Sequence, residues 1–174
     1  VDITENQHIK VNENGQTNID NIYAVGDVTG PPWLAHVSSS EGLYVVEYIA
    51  DLNPKKIDYD CIPACTYSKP EIGSIGFDQN ALDDKGINYK IAKSFFNANG
   101  RAVASGSTDG FIKILVSDDN LILGAHIIGS NATEMISEFS LAMSNQLTVE
   151  NILSSVHPHP TFSEAIFETL MQLK

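Results

Sequence analysis

The sequence is short of basic side chains: ten Lys and Arg stand against 22 Asp and Glu in 174 residues, a formal charge of −12 at pH 7. That sign repels a phosphate backbone, so no nucleic-acid partner is expected. No uninterrupted apolar run approaches the roughly 20 residues that span a bilayer, so no membrane partner is expected. Val1-Asp2-Ile3-Thr4-Glu5 lacks the basic and apolar regions of a signal peptide. A soluble, intracellular protein is the expectation. Methionine is missing from the start, and Val1 opens in strand-like sequence, so a piece of something longer is expected. Cysteine is scarce too: Cys61 and Cys65 are too few for a disulfide-stapled secreted scaffold. Four extended residues separate their Cα atoms by about 13 Å, beyond disulfide reach. They read as inert thiols, with a redox or metal-binding pair as the alternative.

What the chain does have is core material, with 43% hydrophobic and 18% charged residues. This suits one domain or a domain and a half, and excludes collagen, coiled coil and simple disorder. Residues 1–60 alternate apolar runs with turns. Asn14-Gly15 is a hairpin signal. Ile22-Tyr23-Ala24-Val25 reads as a buried strand delivering Asp27 at its end, and Ser38-Ser39-Ser40-Glu41 leads into helix-spaced Val45, Val46, Ile49 and Ala50. A boundary is expected near residues 53–60, where Asn53-Pro54 stops the helix. Strands then follow at Ala64–Tyr67, Ile72–Phe77, Tyr89–Phe95, Gly110–Val116 and Leu121–Ile128. Helices are expected over 131–145, behind an Asn131-x-x-Glu134 capping box, and over 162–173. Strands and helices in separate runs predict an α+β fold with a mostly antiparallel sheet.

The strongest chemical constellation is His157-Pro158-His159-Pro160-Thr161-Phe162-Ser163-Glu164. It sets imidazoles directly before a helix and a carboxylate in that helix's first turn. A His held by a carboxylate has a fixed tautomer and raised basicity, as proton transfer requires. Two other readings stay open: Thr161-x-x-Glu164 as a plain capping box, and His157 with His159 as metal ligands, since imidazoles at i and i+2 of an extended chain point the same way. A second constellation, Gly26-Asp27 after a strand, suits close backbone approach to a ligand whose hydroxyls the acid would accept from, or is simply a turn.

Thr17…Tyr23-Ala24-Val25-Gly26-Asp27 resembles the second flavin-binding motif of the pyridine nucleotide-disulfide oxidoreductases, and Leu34-Ala35-His36…Glu41-Gly42 the segment after it. Tyr67-Ser68-Lys69-Pro70-Glu71, Ala98-Asn99-Gly100-Arg101-Ala102, Gly110-Phe111-Ile112-Lys113 and Leu123-Gly124-Ala125-His126 resemble that family's dimerisation domain. The His157–Ala165 stretch is most similar to the dihydrolipoamide dehydrogenase branch. Glutathione reductases usually carry a Glu-Glu pair there, and mercuric reductases replace the active His with Tyr.

The resemblance implies that residues 1–57 end an FAD-binding domain and that 58–174 form the dimerisation domain. It further implies that His159 is the acid/base acting on dihydrolipoamide, oriented by Glu164 and serving the opposite subunit of a homodimer. Asp27 would hold the flavin's ribityl chain, and Trp33, Leu34, Ala35 and His36 would line its ring. FAD and NAD are the implied cofactors, with no metal. A lipoyl domain of a 2-oxo acid dehydrogenase complex or glycine cleavage system is the implied partner, in bacterial cytoplasm or the mitochondrial matrix. A cis His159-Pro160 peptide is a further expectation. The family's Gly-x-Gly-x-x-Gly turn, redox Cys-x4-Cys and nicotinamide domain have no counterpart here. The chain would then be roughly the last third of an enzyme, inactive alone, retaining little or no flavin. A glutathione-type reductase and a non-catalytic dimerisation module are the competing readings.

Overall fold

Short runs with apolar residues, bounded by turns, become the strands of the second part of the chain. A computed structural model describes residues 1–174, which divide into two units, Val1–Tyr59 and Asp60–Lys174. In the second unit β1 (Ala64–Thr66), β2 (Glu71–Gly76), β3 (Lys90–Phe95), β4 (Phe111–Val116) and β5 (Ile122–Gly129) form one sheet, ordered β1-β2-β5-β4-β3. Every pairing is antiparallel. The α+β expectation therefore holds.

Two helices of this unit pack on one face of the sheet. Helix α4 (Ala132–Ser144) lies on β2 and β5, and α6 (Glu164–Leu170) on β3 and β4. Phe139, Ile136, Ile166 and Leu170 meet Ile112, Ile114 and Ile127 in a single core, each at most 1% exposed. Full burial of each such side chain contributes about 1.5–3 kcal/mol. Three short helices went unseen in the sequence: α2 (Gln79–Lys85), α3 (Gly100–Ser105) and α5 (Val149–Leu153).

Two helix starts differ from expectation. Asn131 sits at φ +63° and its side chain makes no cap, so there is no Asn131–Glu134 box. Glu71 of β2 does the capping instead, accepting from the Thr133 amide at 3.2 Å and the Thr133 hydroxyl at 2.7 Å. The last helix begins at Glu164, not Phe162, and finishes as a 3-10 turn over Met171–Leu173. Its expected cap, Thr161, turns its hydroxyl back to the Pro158 carbonyl at 2.7 Å.

The first unit holds one long helix, α1 (Ala35–Ile49). It starts ahead of the serines, because Ser38, Ser39 and Ser40 donate back to carbonyls four residues earlier and so lie within the helix. The expected buried strand Ile22–Val25 is not formed. Only Tyr23 pairs, with Gln16, and Ile22 is 44% exposed. Its backbone bonds instead run to the turn before it: Ala24 donates to the Gly15 carbonyl and Ile22 accepts from the Thr17 amide, both at 2.9 Å.

Candidate functional site

His159 enters the site from the bend that precedes α6. Its Nδ1 lies 2.8 Å from Glu164 Oε1, while the imidazole itself is 78% exposed. An ionised carboxylate only accepts, so Nδ1 carries the proton and Nε2 of the neutral ring is a lone pair open to solvent. The second carboxylate oxygen accepts from the Thr161 amide at 2.8 Å. This backbone donor, and next the His159 ring, hold Glu164 below the usual carboxylate range. Half of the capping box thus survives and is combined with the dyad: Glu164 reaches back to Thr161 with one oxygen and to His159 with the other. The His159–Pro160 peptide is cis.

The two imidazoles do not point the same way. His157 turns inward, its side chain 8% exposed, and meets Glu138 of α4 at 2.9 Å through Nε2. The chain bends at His159 and Pro160, and each ring takes its own carboxylate. No group of three or more metal-ligating side chains occurs in the protein. Glu138 has no special signature in the sequence beyond its place on an amphipathic helix. Asn99 was visible only as part of a motif, yet it is 1% exposed and donates to the Thr161 carbonyl at 3.1 Å.

Cys65 packs against the core of its unit and contacts the Thr133 carbonyl at 3.9 Å. Burial, then the carboxylates of Glu71 and Glu134, push its thiol up, so it is no thiolate nucleophile at neutral pH.

In the first unit the candidates lie together along one short segment. Asp27 is exposed within a 3-10 turn over Gly26–Thr29. Trp33 is 63% exposed and meets His8 edge-on, with ring centroids 6.3 Å apart. Leu34 precedes α1 without a side-chain cap, and Ala35 and His36 open the helix at its exposed end. Their amides belong to the first turn, which lacks intrahelical acceptors. An exposed acid a few residues ahead of a helix's first turn brings acceptor and donor types that a sugar-alcohol chain next to a heteroaromatic ring can use.

Behind this segment Glu41 is a fixed point. One oxygen accepts from the Gly26 amide and the other from the Tyr59 hydroxyl, both at 2.6 Å. Tyr59 is 53% exposed as a residue, yet burial of its hydroxyl end, followed by the Glu41 contact, pushes it up to about 12. The neutral phenol's contribution to stability is present below the ordinary value of about 10 and is lost as pH rises through the raised one. Ultraviolet titration should therefore show one of the six tyrosines ionising last. Tyr59→Phe should delete that step. Six tyrosines titrating together near pH 10 would show that the Glu41 contact is not made.

Residues 62–170 match the pyridine nucleotide-disulphide oxidoreductase dimerisation domain, and residues 1–42 match the pyridine nucleotide-disulphide oxidoreductase family. The chain belongs to the pyridine nucleotide-disulphide oxidoreductases. Among curated members, the dihydrolipoyl dehydrogenase of Bacillus subtilis (strain 168) is 46% identical over 170 residues, covering 97% of this chain and 36% of that protein. The mitochondrial dihydrolipoyl dehydrogenase of Sus scrofa is 43% identical over 169 residues, covering 97% and 33%. The chain thus spans about a third of the length of the curated relatives it matches. Among solved structures, LpdA from Mycobacterium tuberculosis superposes with a TM-score of 0.94 at 24% identity, covering 100% of this chain and 38% of that one. At that identity the likeness speaks for the fold alone. No helix of the chain is long and apolar enough to cross a membrane.

Proposed function

We propose that the chain is the carboxyl-terminal part of a flavoprotein that oxidises dihydrolipoamide to lipoamide and passes the electrons through FAD to NAD. Residues 1–57 complete an FAD-binding domain, and residues 58–174 are the dimerisation domain of a homodimer. The partition between units at Tyr59 supports that assignment. The observation that carries the reading is the exposed imidazole of His159, fixed through Nδ1 by Glu164 at 2.8 Å.

In this reaction two electrons and two protons leave the dithiol as its S–S bond forms. FAD, when bound, relays the electrons to NAD. His159 Nε2 takes a thiol proton and returns it to solvent or to a leaving sulfur, and Glu164 keeps the ring aimed and stabilises the imidazolium. Asp27 would accept from the hydroxyls of the flavin's ribityl chain. Trp33, Leu34, Ala35 and His36 would line its ring, Ala35 through its backbone. The physiological dithiol is carried by a lipoyl domain of a 2-oxo acid dehydrogenase or glycine cleavage assembly, in bacterial cytoplasm or the mitochondrial matrix. The present sequence contains neither Cys-x4-Cys nor Gly-x-Gly-x-x-Gly, so the isolated chain turns nothing over and holds flavin weakly.

The test uses the complete protein. Glu164→Gln keeps an oxygen for the Thr161 amide but loses the charge that favours imidazolium, so turnover falls while the melting temperature at neutral pH falls less than in Glu164→Ala. Glu164→Ala lowers both. The carboxylate's depressed value means that its contribution to stability is present above the ordinary carboxylate range and is lost as pH falls through the lowered one. Glu164→Gln should abolish that acid dependence. Unchanged turnover in Glu164→Gln would leave the carboxylate as a helix cap and overturn the proposal.

A further inference from the structure

Asn99 is a buried amide whose two ends are both committed. Its Oδ1 accepts from the Ala102 amide at 2.9 Å, capping α3. Its Nδ2 donates to the Thr161 carbonyl at 3.1 Å. Capping alone does not call for Asn, because Ser and Asp cap about as well. What Asn adds is a donor on the far side of the same planar group.

That donor lands on a consequential residue. Thr161 is held at its carbonyl by Asn99 and at its hydroxyl by the Pro158 carbonyl, and its amide donates to Glu164 Oε2 at 2.8 Å. Glu164 in turn aims His159 through its other oxygen. The His159 side chain is 78% exposed, so neighbouring side chains do little to fix its ring. Phe96 and Phe162, in edge-to-face contact at 5.8 Å, join the same two segments beside Asn99.

We infer that Asn99 is a positioning residue for the His159–Glu164 pair, fixing the Thr161 backbone from which Glu164 and then His159 take their orientation. The inference rests on the reading of His159 as the acid/base.

In the complete enzyme, Asn99→Ser keeps a capping oxygen on a side chain too short to reach Thr161. It should lower kcat for dihydrolipoamide oxidation by about tenfold, against the ~10²-fold that a 1 Å misplacement of a reacting group costs. KM should change little, and the apparent pKa of the kcat/KM profile should shift. NADH-dependent reduction of ferricyanide, which needs no proton transfer at the dithiol, should be unchanged. Asn99→Asp, nearly isosteric and still a cap but acceptor-only when ionised, should show the same split; if it fails to fold, Asn99→Ser alone decides. In a His159→Gln background Asn99→Ser should add no further loss, since the two act as a unit. Equal loss of both activities, a full additional loss in that background, or a lower melting temperature with unchanged kcat would each overturn the inference. Wild-type turnover in His159→Gln itself would instead overturn the reading beneath it, and the inference with it.

Discussion

Replacing His159 by Gln in the complete protein is expected to lower dihydrolipoamide oxidation by about 10²–10⁴, the range for removing a positioned acid/base, while NADH-to-ferricyanide turnover is kept. The asymmetry follows from the geometry. The ring is 78% exposed and makes one bond, to Glu164, so Gln removes a proton carrier without opening a core cavity. The melting temperature should stay close to that of the wild type. Stopped-flow mixing with the reduced dithiol would place the loss in the step that transfers electrons from dithiol to enzyme. Wild-type turnover of dihydrolipoamide would end the assignment of His159.

Gly110→Ala should be among the most destabilising single-methyl changes in the second unit. Gly110 precedes β4 at φ +129°, and a Cβ built there would lie 1.8 Å from the Ile128 carbonyl oxygen and 2.9 Å from the Gly129 Cα. These are backbone atoms of the neighbouring strand and cannot rotate away. Backbone strain of about 1–3 kcal/mol adds to overpacking of about 1–3 kcal/mol, a large share of a domain's 5–15 kcal/mol. Gly106 supplies the control. It also has positive φ, +67°, but open space surrounds its Cβ position, so Gly106→Ala should cost only about 1–2 kcal/mol for the left-handed backbone. Urea midpoints of the two variants read the difference directly. Equal shifts would show that the ladder gives way at Gly110.

The strands were legible as short runs with apolar residues closed by turn residues, and their ends fell within one residue of the expected ones. The short helices were not, since five to seven residues, as in α5 and α2, are too few for a helical period to declare itself. Neither capping box formed whole, for one reason: a local spacing cannot reveal a competing partner. Glu71 reaches Thr133 from 62 residues away, and Pro158 attracts the Thr161 hydroxyl. The His159–Glu164 pair was readable because its members lie five residues apart at a helix entry. Asn99 was not, because what sets it apart is a carbonyl 62 residues further on. For Asp27 and Ala35, composition and spacing gave no more than a turn and a helix start, and their roles come from the resemblance.

The bond from Glu71 to the start of α4 also bears on the order of folding. Strands β3, β4 and β5 are sheet neighbours as well as chain neighbours, whereas β2 pairs with β5 across two intervening strands and two helices. Closing that longer loop costs more chain entropy and comes after the local meander. Helix α4 follows β5 directly and can wind as soon as the meander stands, but the amide of Thr133 gains its acceptor only when β2 docks and brings Glu71. Hydrogen-exchange protection at Thr133 is therefore a clock for the closing of the sheet, not for the winding of the helix in which it resides.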